Sequence, residues 1–322
     1  MTQAHDLGGL LASPREGTNR ERRLATGSEV GEARAAQGFA AITGASPARA
    51  AEDLVRAAGP GGSLSWHGAS VDSHFQPVLA VRTHSCHGYE AFLRAADTRG
   101  VRVPASELYE RAGEGGHALL DWSFRALHLR NYARFDTEDR VLFLHVHPRA
   151  AIHDAAWARE FAALVRYYGL APRRVCIEIL SDDCDEGLLK HALDVYRGLG
   201  VAVALQGFGT GRSNLDRVRG LRPDLVKVDF AQFPGAGRAG SHAGRELASV
   251  LAQLHELRAQ VVVTGIEEAA QARAAVEVGA DFVQGRFFAE SRAGLCDEAS
   301  ALDRLRVALG TPAERNLQRA AR

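Results

Sequence analysis

The chain has no paired cysteines, no long apolar run and no surplus of charge, and each absence removes a class of function. Its 4 cysteines, Cys86, Cys176, Cys184 and Cys296, stand far apart with no CxxC spacing. That excludes a zinc ribbon and a disulfide framework and suits a reducing compartment. No stretch reaches membrane-spanning length, and the opening residues lack an apolar core behind basic ones, so a cytoplasmic protein without a membrane span is expected. Formal net charge is zero, 39 basic against 39 acidic side chains, which gives no device for grasping nucleic acid or an anionic membrane. Trp66, Trp122 and Trp157 are too dispersed for a base-stacking platform. His84, His87, His117, His128 and His147 form no HExxH pair and read as surface or strand-end residues. Gly59-Pro60-Gly61-Gly62 lacks the Lys-Ser/Thr of a phosphate loop and reads as a linker.

What is present is a chain of 322 residues, 46% hydrophobic, long enough to bury a large core. Residues 1–70 are polar and poor in β-branched and aromatic side chains; they predict a flexible extension in which Glu32–Ala41 and Pro47–Ala58 can form short helices. From His74 onward short apolar runs alternate with amphipathic ones. Phe75–Val81 and Gly88–Leu93 read as strands of an opening hairpin, followed by helices near Pro104–Ala112 and Gly116–Tyr132. Strands are then expected at Val141–Val146, Val175–Leu180, Val201–Leu205, Leu225–Val228, Gln260–Val263 and Phe282–Val283. Helices between them are expected at Asp154–Tyr168, with Asp154 as N-cap, and at Glu186–Leu199, Gly244–Leu257 and Ala269–Val278. This alternation predicts an α/β fold, a (β/α)₈-type barrel over residues 71–295, with a helix and tail over 296–322.

The most informative stretch is Val201–Asp229. A valine-rich strand enters Gly207-Phe208-Gly209-Thr210-Gly211, a helical segment stops at Pro223, and a second strand carries Lys227 and ends at Asp229. The glycine-dense loop thus sits at the carboxyl end of a parallel strand, where such folds place their ligands.

These residues resemble the EAL domain, the cyclic di-GMP phosphodiesterase family of bacterial signalling. Six short matches occur in the family's order: Gln76-Pro77, Glu90-Ala91-Phe92-Leu93-Arg94, Gly100 with Pro104, Phe208–Gly211, Lys227-Val228-Asp229 and Val283-Gln284-Gly285. The resemblance implies a modified barrel with one antiparallel strand at its start, in keeping with the opening hairpin. It also implies hydrolysis of a phosphodiester by two divalent cations about 3.5–4 Å apart, bridged by carboxylate.

Carried over position by position, the resemblance makes Glu90 and Glu178 the metal-binding glutamates and Lys227 the lysine beside the attacking water. Gln76, Arg94 and Gln284 fall on ligand-facing positions, Arg94 as the phosphate-contacting arginine. Arg94 could instead pair with a neighbouring carboxylate, and Gln76 could satisfy barrel backbone. His145 stands in place of a family asparagine. The two central aspartates are replaced by Gln206 and Gly207, the glutamate of the Ala-Glu-Gly-Val-Glu run by Thr264, and a loop-steadying glutamate by Ser181. Glu267 matches the later glutamate of that run. Glu290-Ser291 replaces a family Arg-Pro, and Arg286 replaces an aromatic residue.

A neutral amide and a bare backbone cannot bridge two cations, and Lys227 stays positive beside them. The expectation is a catalytically degenerate member with no cofactor, its polar residues hydrogen-bonded among themselves. It would act as a cyclic di-GMP receptor or as a regulator that binds a protein partner, as a monomer or homodimer. Two alternatives remain. One is a divergent phosphodiesterase with rearranged ligands using Mg²⁺ or Mn²⁺; the other is a single ion held by Glu90, His145 and Glu178.

Overall fold

The computed structural model describes residues 47–57, 62–113, 116–135, 140–147, 151, 155–180, 185–209 and 214–310. The expected helix at Glu32–Ala41, the Asp154 cap, Ser181, Cys184, Thr210 and the tail beyond Gly310 lie outside these residues. The chain divides into two compact units, Met1–Ser73 with Leu93–Asn131, and His74–Phe92 with Tyr132–Arg322.

In the first unit, helix α1 (Pro47–Ala57) precedes strand β1 (Leu64–Trp66) and the start of strand β2 (Ala69–Ala80). β1 and β2 form an antiparallel hairpin in which Trp66 faces Ala69. His67 and Gly68 turn it, both with positive φ, as a type I′ hairpin turn requires. The extension expected over 1–70 therefore contains strand. Its Leu64, Trp66 and Val71 are buried, a pattern too short to stand out from the polar sequence before it. The end of strand β3 (Ser85–Asp97) pairs with strand β4 (Arg102–Val103), Ala95 opposite Val103. Helices α2 (Ala105–Ala112) and α3 (His117–Ala133) follow.

Helix α3 is buried on nearly every side although it carries Asp121, Ser123, Arg125, His128 and Asn131. Each of these five side chains makes at least one hydrogen bond or ion pair, as burial demands. Arg125 binds Asp121 and lies over the Trp122 ring at 4.3 Å. His128 Nδ1 meets Ser73 Oγ at 2.8 Å, and Asn131 Nδ2 donates to Gly62 O at 2.6 Å. Burial of His128 corrects the surface placement read from its isolation in sequence.

The second unit is an eight-stranded barrel. Strand β5 (Val141–Val146), helix α4 (Ala155–Tyr167), strand β6 (Val175–Ile179), helix α5 (Glu186–Gly198) and strand β7 (Ala202–Leu205) come first. Helix α6 (Leu215–Leu221), strand β8 (Leu225–Asp229), helix α7 (His242–Glu256), strand β9 (Gln260–Thr264), helix α8 (Ala269–Glu277) and strand β10 (Phe282–Val283) complete it. The order is β2-β10-β9-β8-β7-β6-β5-β3, and the β2–β3 pairing closes the ring. All neighbours from β3 through β10 are parallel, and β2 runs antiparallel to β10. Helices α5, α6 and α7 start on side-chain caps, with Asp185, Asn214 and Ser241 accepting from the first turn.

The interior follows the two-residue period of a strand. Phe143, Cys176, Ala204, Leu225, Val262, Phe282, Val78 and Ala80 form one buried apolar cluster. His87, near the start of β3, packs on it, its ring centroid 4.4 Å from that of Phe282 and 5.9 Å from that of Phe143, the strand-end placement of the two read from the sequence. One step of two residues toward the carboxyl ends turns each interior position polar: His145, Glu178, Gln206, Lys227, Thr264 and Gln284. On antiparallel β2 the step runs backwards, from Val78 to Gln76. Register alone therefore collects the polar residues at one end of the barrel.

Helix α9 (Glu298–Leu309) is pinned to the barrel at its first residue. Glu298 accepts from Tyr89 Oη at 2.7 Å and pairs with Arg140 Nη2 at 2.9 Å. Partial burial opposes its charge, but Arg140 and Tyr89 overcome this and hold the carboxyl below its ordinary range. Its contribution is therefore present above the ordinary carboxylate pKa and is lost as pH falls through the lower folded value. Glu298→Gln is expected to cost about 1 kcal/mol at neutral pH, at the modest end because the pair is partly solvated. Urea titrations should show the cost fading in acid; a pH-independent difference would contradict the assignment.

Candidate functional site

Glu90 on β3 and Glu178 on β6 are buried within the barrel, and both reach Lys227 on β8. Lys227 Nζ donates to Glu90 Oε2 at 2.5 Å and to Glu178 Oε1 at 2.8 Å. Gln284 Nε2 donates to the same Glu90 Oε2 at 2.6 Å and lies 3.2 Å from Gln76 Oε1. His145, the register partner of Glu178, approaches Glu90 Oε1 through Nε2 at 2.8 Å and Glu178 Oε2 at 3.6 Å. A carboxylate acceptor at that distance places the imidazole proton on Nε2. Both oxygens of Glu90 are thus occupied by donors from the protein. His145 Nδ1, Glu178 Oε2, Gln206 Oε1 and Gln284 Oε1 have no hydrogen-bond partner among the described residues.

Two carboxylates share one ammonium here, and their proton affinities separate accordingly. Burial alone would raise Glu90, but Lys227 and His145 overcome it and hold the carboxyl far below its usual range. Burial raises Glu178, the Glu90 charge adds to it, and Lys227 offsets only part, leaving it at about 7. For Lys227, burial is outweighed by Glu178 and Glu90, so the ammonium is held above its ordinary value. Burial would lower His145; the Glu90 hydrogen bond and the Glu178 charge raise it instead. One ligand atom each from Glu90, His145 and Glu178 lies within 4.8 Å of the others, close enough to surround a single ion.

The other expected residues take different places. Gln206 and Gly207 follow β7, Gly207 with φ +71°, in the left-handed region. Thr264 Oγ1 turns to Val228 O at 3.5 Å. Gln76 Nε2 donates to Ala289 O at 2.9 Å, the backbone contact that its position allowed. Arg94 belongs to the first unit, where its guanidinium donates to Leu93 O at 2.9 Å. Sequence did not reveal the pair between Arg286 Nη2 and Glu267 Oε1 at 2.6 Å, which joins the loops after β10 and β9. Nor did it reveal Gln284 as a donor to Glu90. The apolar-then-polar step along every strand was the signal that could have gathered these residues beforehand.

Comparison with known proteins agrees with this architecture. The EAL domain family matches residues 65–291. The Escherichia coli protein named probable cyclic di-GMP phosphodiesterase PdeI is 25% identical over 223 residues, 66% of this chain and 28% of that protein. This chain therefore corresponds to under a third of that relative's length. Among solved structures, a standalone EAL protein of Vibrio cholerae in its c-di-GMP-bound form superposes with TM-score 0.63 at 22% identity, covering 70% of this chain and 94% of that one. The Bacillus subtilis YkuI protein, in complex with c-di-GMP and calcium, gives TM-score 0.66 at 20% identity over 78% and 63%. Among the described residues no helix is long and apolar enough to cross a membrane. With a family match over most of its length and the barrel that goes with it, this chain belongs to the EAL domain family.

Proposed function

We propose that this chain is an EAL-domain protein of cyclic di-GMP signalling that acts by binding, as a receptor for the dinucleotide or a regulator of a protein partner, and does not hydrolyse it. The observation carrying this reading is the saturation of Glu90 by Lys227, Gln284 and His145. Two-metal hydrolysis needs free carboxylate oxygens that can bridge ions about 3.5–4 Å apart. The interior offers two carboxylates, both already paired with an ammonium, and the neutral Gln206 where an acid would bridge. These residues do not fit a pair of divalent ions, so no catalytic step is routed through metal.

What they do form is a neutral-to-weakly-anionic hydrogen-bonding cluster: two carboxylates balanced by Lys227 and His145, with the buried amide oxygens of Gln206 and Gln284 left without a hydrogen-bond partner among the described residues. The experiment is calorimetric titration with cyclic di-GMP, with and without Mn²⁺, followed by chromatography of the nucleotide. A receptor should bind equally in both and return the nucleotide intact. Absence of binding leaves the protein-partner role. Metal-dependent conversion to a linear product would sink the reading in favour of a divergent phosphodiesterase.

A further inference from the structure

We propose that Cys86 and Cys296 are the two halves of a reversible disulfide that staples helix α9 to the barrel. This inference goes beyond the binding reading and does not depend on it. Cys86 lies near the start of β3 and is buried; Cys296 lies just before α9 and is partly exposed, and both are free thiols. One hydroxyl brings them together. Tyr89 Oη lies 3.8 Å from Cys296 Sγ and is also a hydrogen-bond partner of the Cys86 thiol. The same hydroxyl donates to Glu298 Oε1 at 2.7 Å, which holds it against both sulfurs. Two thiols that reach one oxygen are neighbours in space, although β3 and α9 stand at opposite ends of the barrel's sequence. Residues 293–296 belong to no helix or strand, so Cys296 can shift toward Cys86 without unmaking an element.

Burial raises both thiols, Cys86 to about 12, and the Tyr89 hydroxyl offsets part of this in each. Neither is therefore a fast scavenger of peroxide, and the bond belongs to slow exchange under sustained oxidation. Cys296, the more exposed of the two, is the point of entry. Its thiolate attacks one sulfur of a low-molecular-weight disulfide such as oxidised glutathione, forming a mixed disulfide and releasing one glutathione thiolate. The Cys86 thiolate then attacks Cys296 Sγ and releases the second. The two protein thiols give up two electrons and two protons, and the small disulfide takes them to become two thiols. Such a bond is conditional, unlike the structural framework that the cysteine spacing excludes. It adds a covalent hold at the start of α9, a helix that Arg304 Nη1 already ties to the loop after β10 through Phe287 O at 2.7 Å.

The test incubates full-length protein with oxidised glutathione under native conditions, blocks the remaining thiols and maps linked peptides by mass spectrometry, with thermal melts alongside. Wild type should yield a Cys86–Cys296 peptide that dithiothreitol removes, and should melt about 5 °C higher while linked. Cys184→Ser should leave the link intact. Cys86→Ser should stop at glutathione on Cys296, and Cys296→Ser should lose both link and glutathione. The proposal is overturned if wild type forms no such link, if Cys296 joins Cys184 or a second chain instead, or if the link appears only in denaturant. Equal melting temperatures for the linked and reduced protein would overturn it too, because the bond would then hold nothing in place.

Discussion

Lys227→Met in the absence of metal is expected to lower the unfolding free energy by about 3–5 kcal/mol, the cost of stripping one partner from a buried ionic group. That is a large share of the roughly 5–15 kcal/mol by which domains are stable. The cause is specific: Glu90 and Glu178 are buried together, and Lys227 is the group that holds both. The pH profile carries the signature. In the wild type Glu90 is held low, so its contribution is present at neutral pH and lost as acid protonates it through its depressed folded value. Glu178, held at about 7, has the opposite sign: its contribution is complete below the ordinary carboxylate pKa and fades as pH rises through 7. Wild-type stability should therefore peak in mildly acidic solution. In the variant, where both carboxylates are costly to ionise, the decline above the ordinary carboxylate pKa should be steeper, because two groups rather than one then carry it. Denaturant titrations across pH read this directly; an equal loss at every pH would mean that the lysine acts by packing alone.

Gly285→Ala should be the most damaging exchange of a glycine at the mouth of the barrel. An added Cβ would lie 2.0 Å from Ile266 O and 2.4 Å from Ile266 N, both backbone atoms that cannot rotate away. Those atoms belong to a latch, Ile266 N–H to Gln284 O at 3.2 Å and Phe287 N–H to Ile266 O at 3.0 Å, which joins the loops after β9 and β10. Overpacking of this kind costs about 1–3 kcal/mol where neighbours can adjust, and here the upper end or beyond is expected. The latch also sets where Gln284 stands over Glu90, so any ligand affinity should fall together with the melting temperature. A variant as stable as wild type would show that the loops part without penalty.

Much of this was legible in the sequence. Strand positions such as Val141–Val146 and Phe282–Val283 matched, because runs buried on both faces are valine- and phenylalanine-rich and bounded by turns. The residues at the strand ends were equally visible, and so were Gln206 and Gly207 where the resemblance would place two acids. What periodicity could not supply was which charges touch. Glu90 and Lys227 are 137 residues apart, and their hydrogen bond exists only because the sheet closes on itself. Gln76 and Gln284 were expected to face a ligand; the structure adds that one holds backbone and the other holds Glu90, contacts that depend on partners remote in sequence. The hairpin of β1 and β2 was hidden for another reason. Its apolar residues alternate over so few positions that the polar stretch before it masks them.

On the binding-only reading proposed above, the backbone at Gly207 makes a return to hydrolysis steeper than the genetic code suggests. An aspartate introduced there would inherit a left-handed conformation that L-residues with a side chain enter at a cost of roughly 1–2 kcal/mol, less for aspartate than for most. It would do so before a single ion had arrived to reward it. On that reading the step at Gly207 is uphill until the other acids are in place, a ratchet that would keep such a barrel committed to listening rather than cutting.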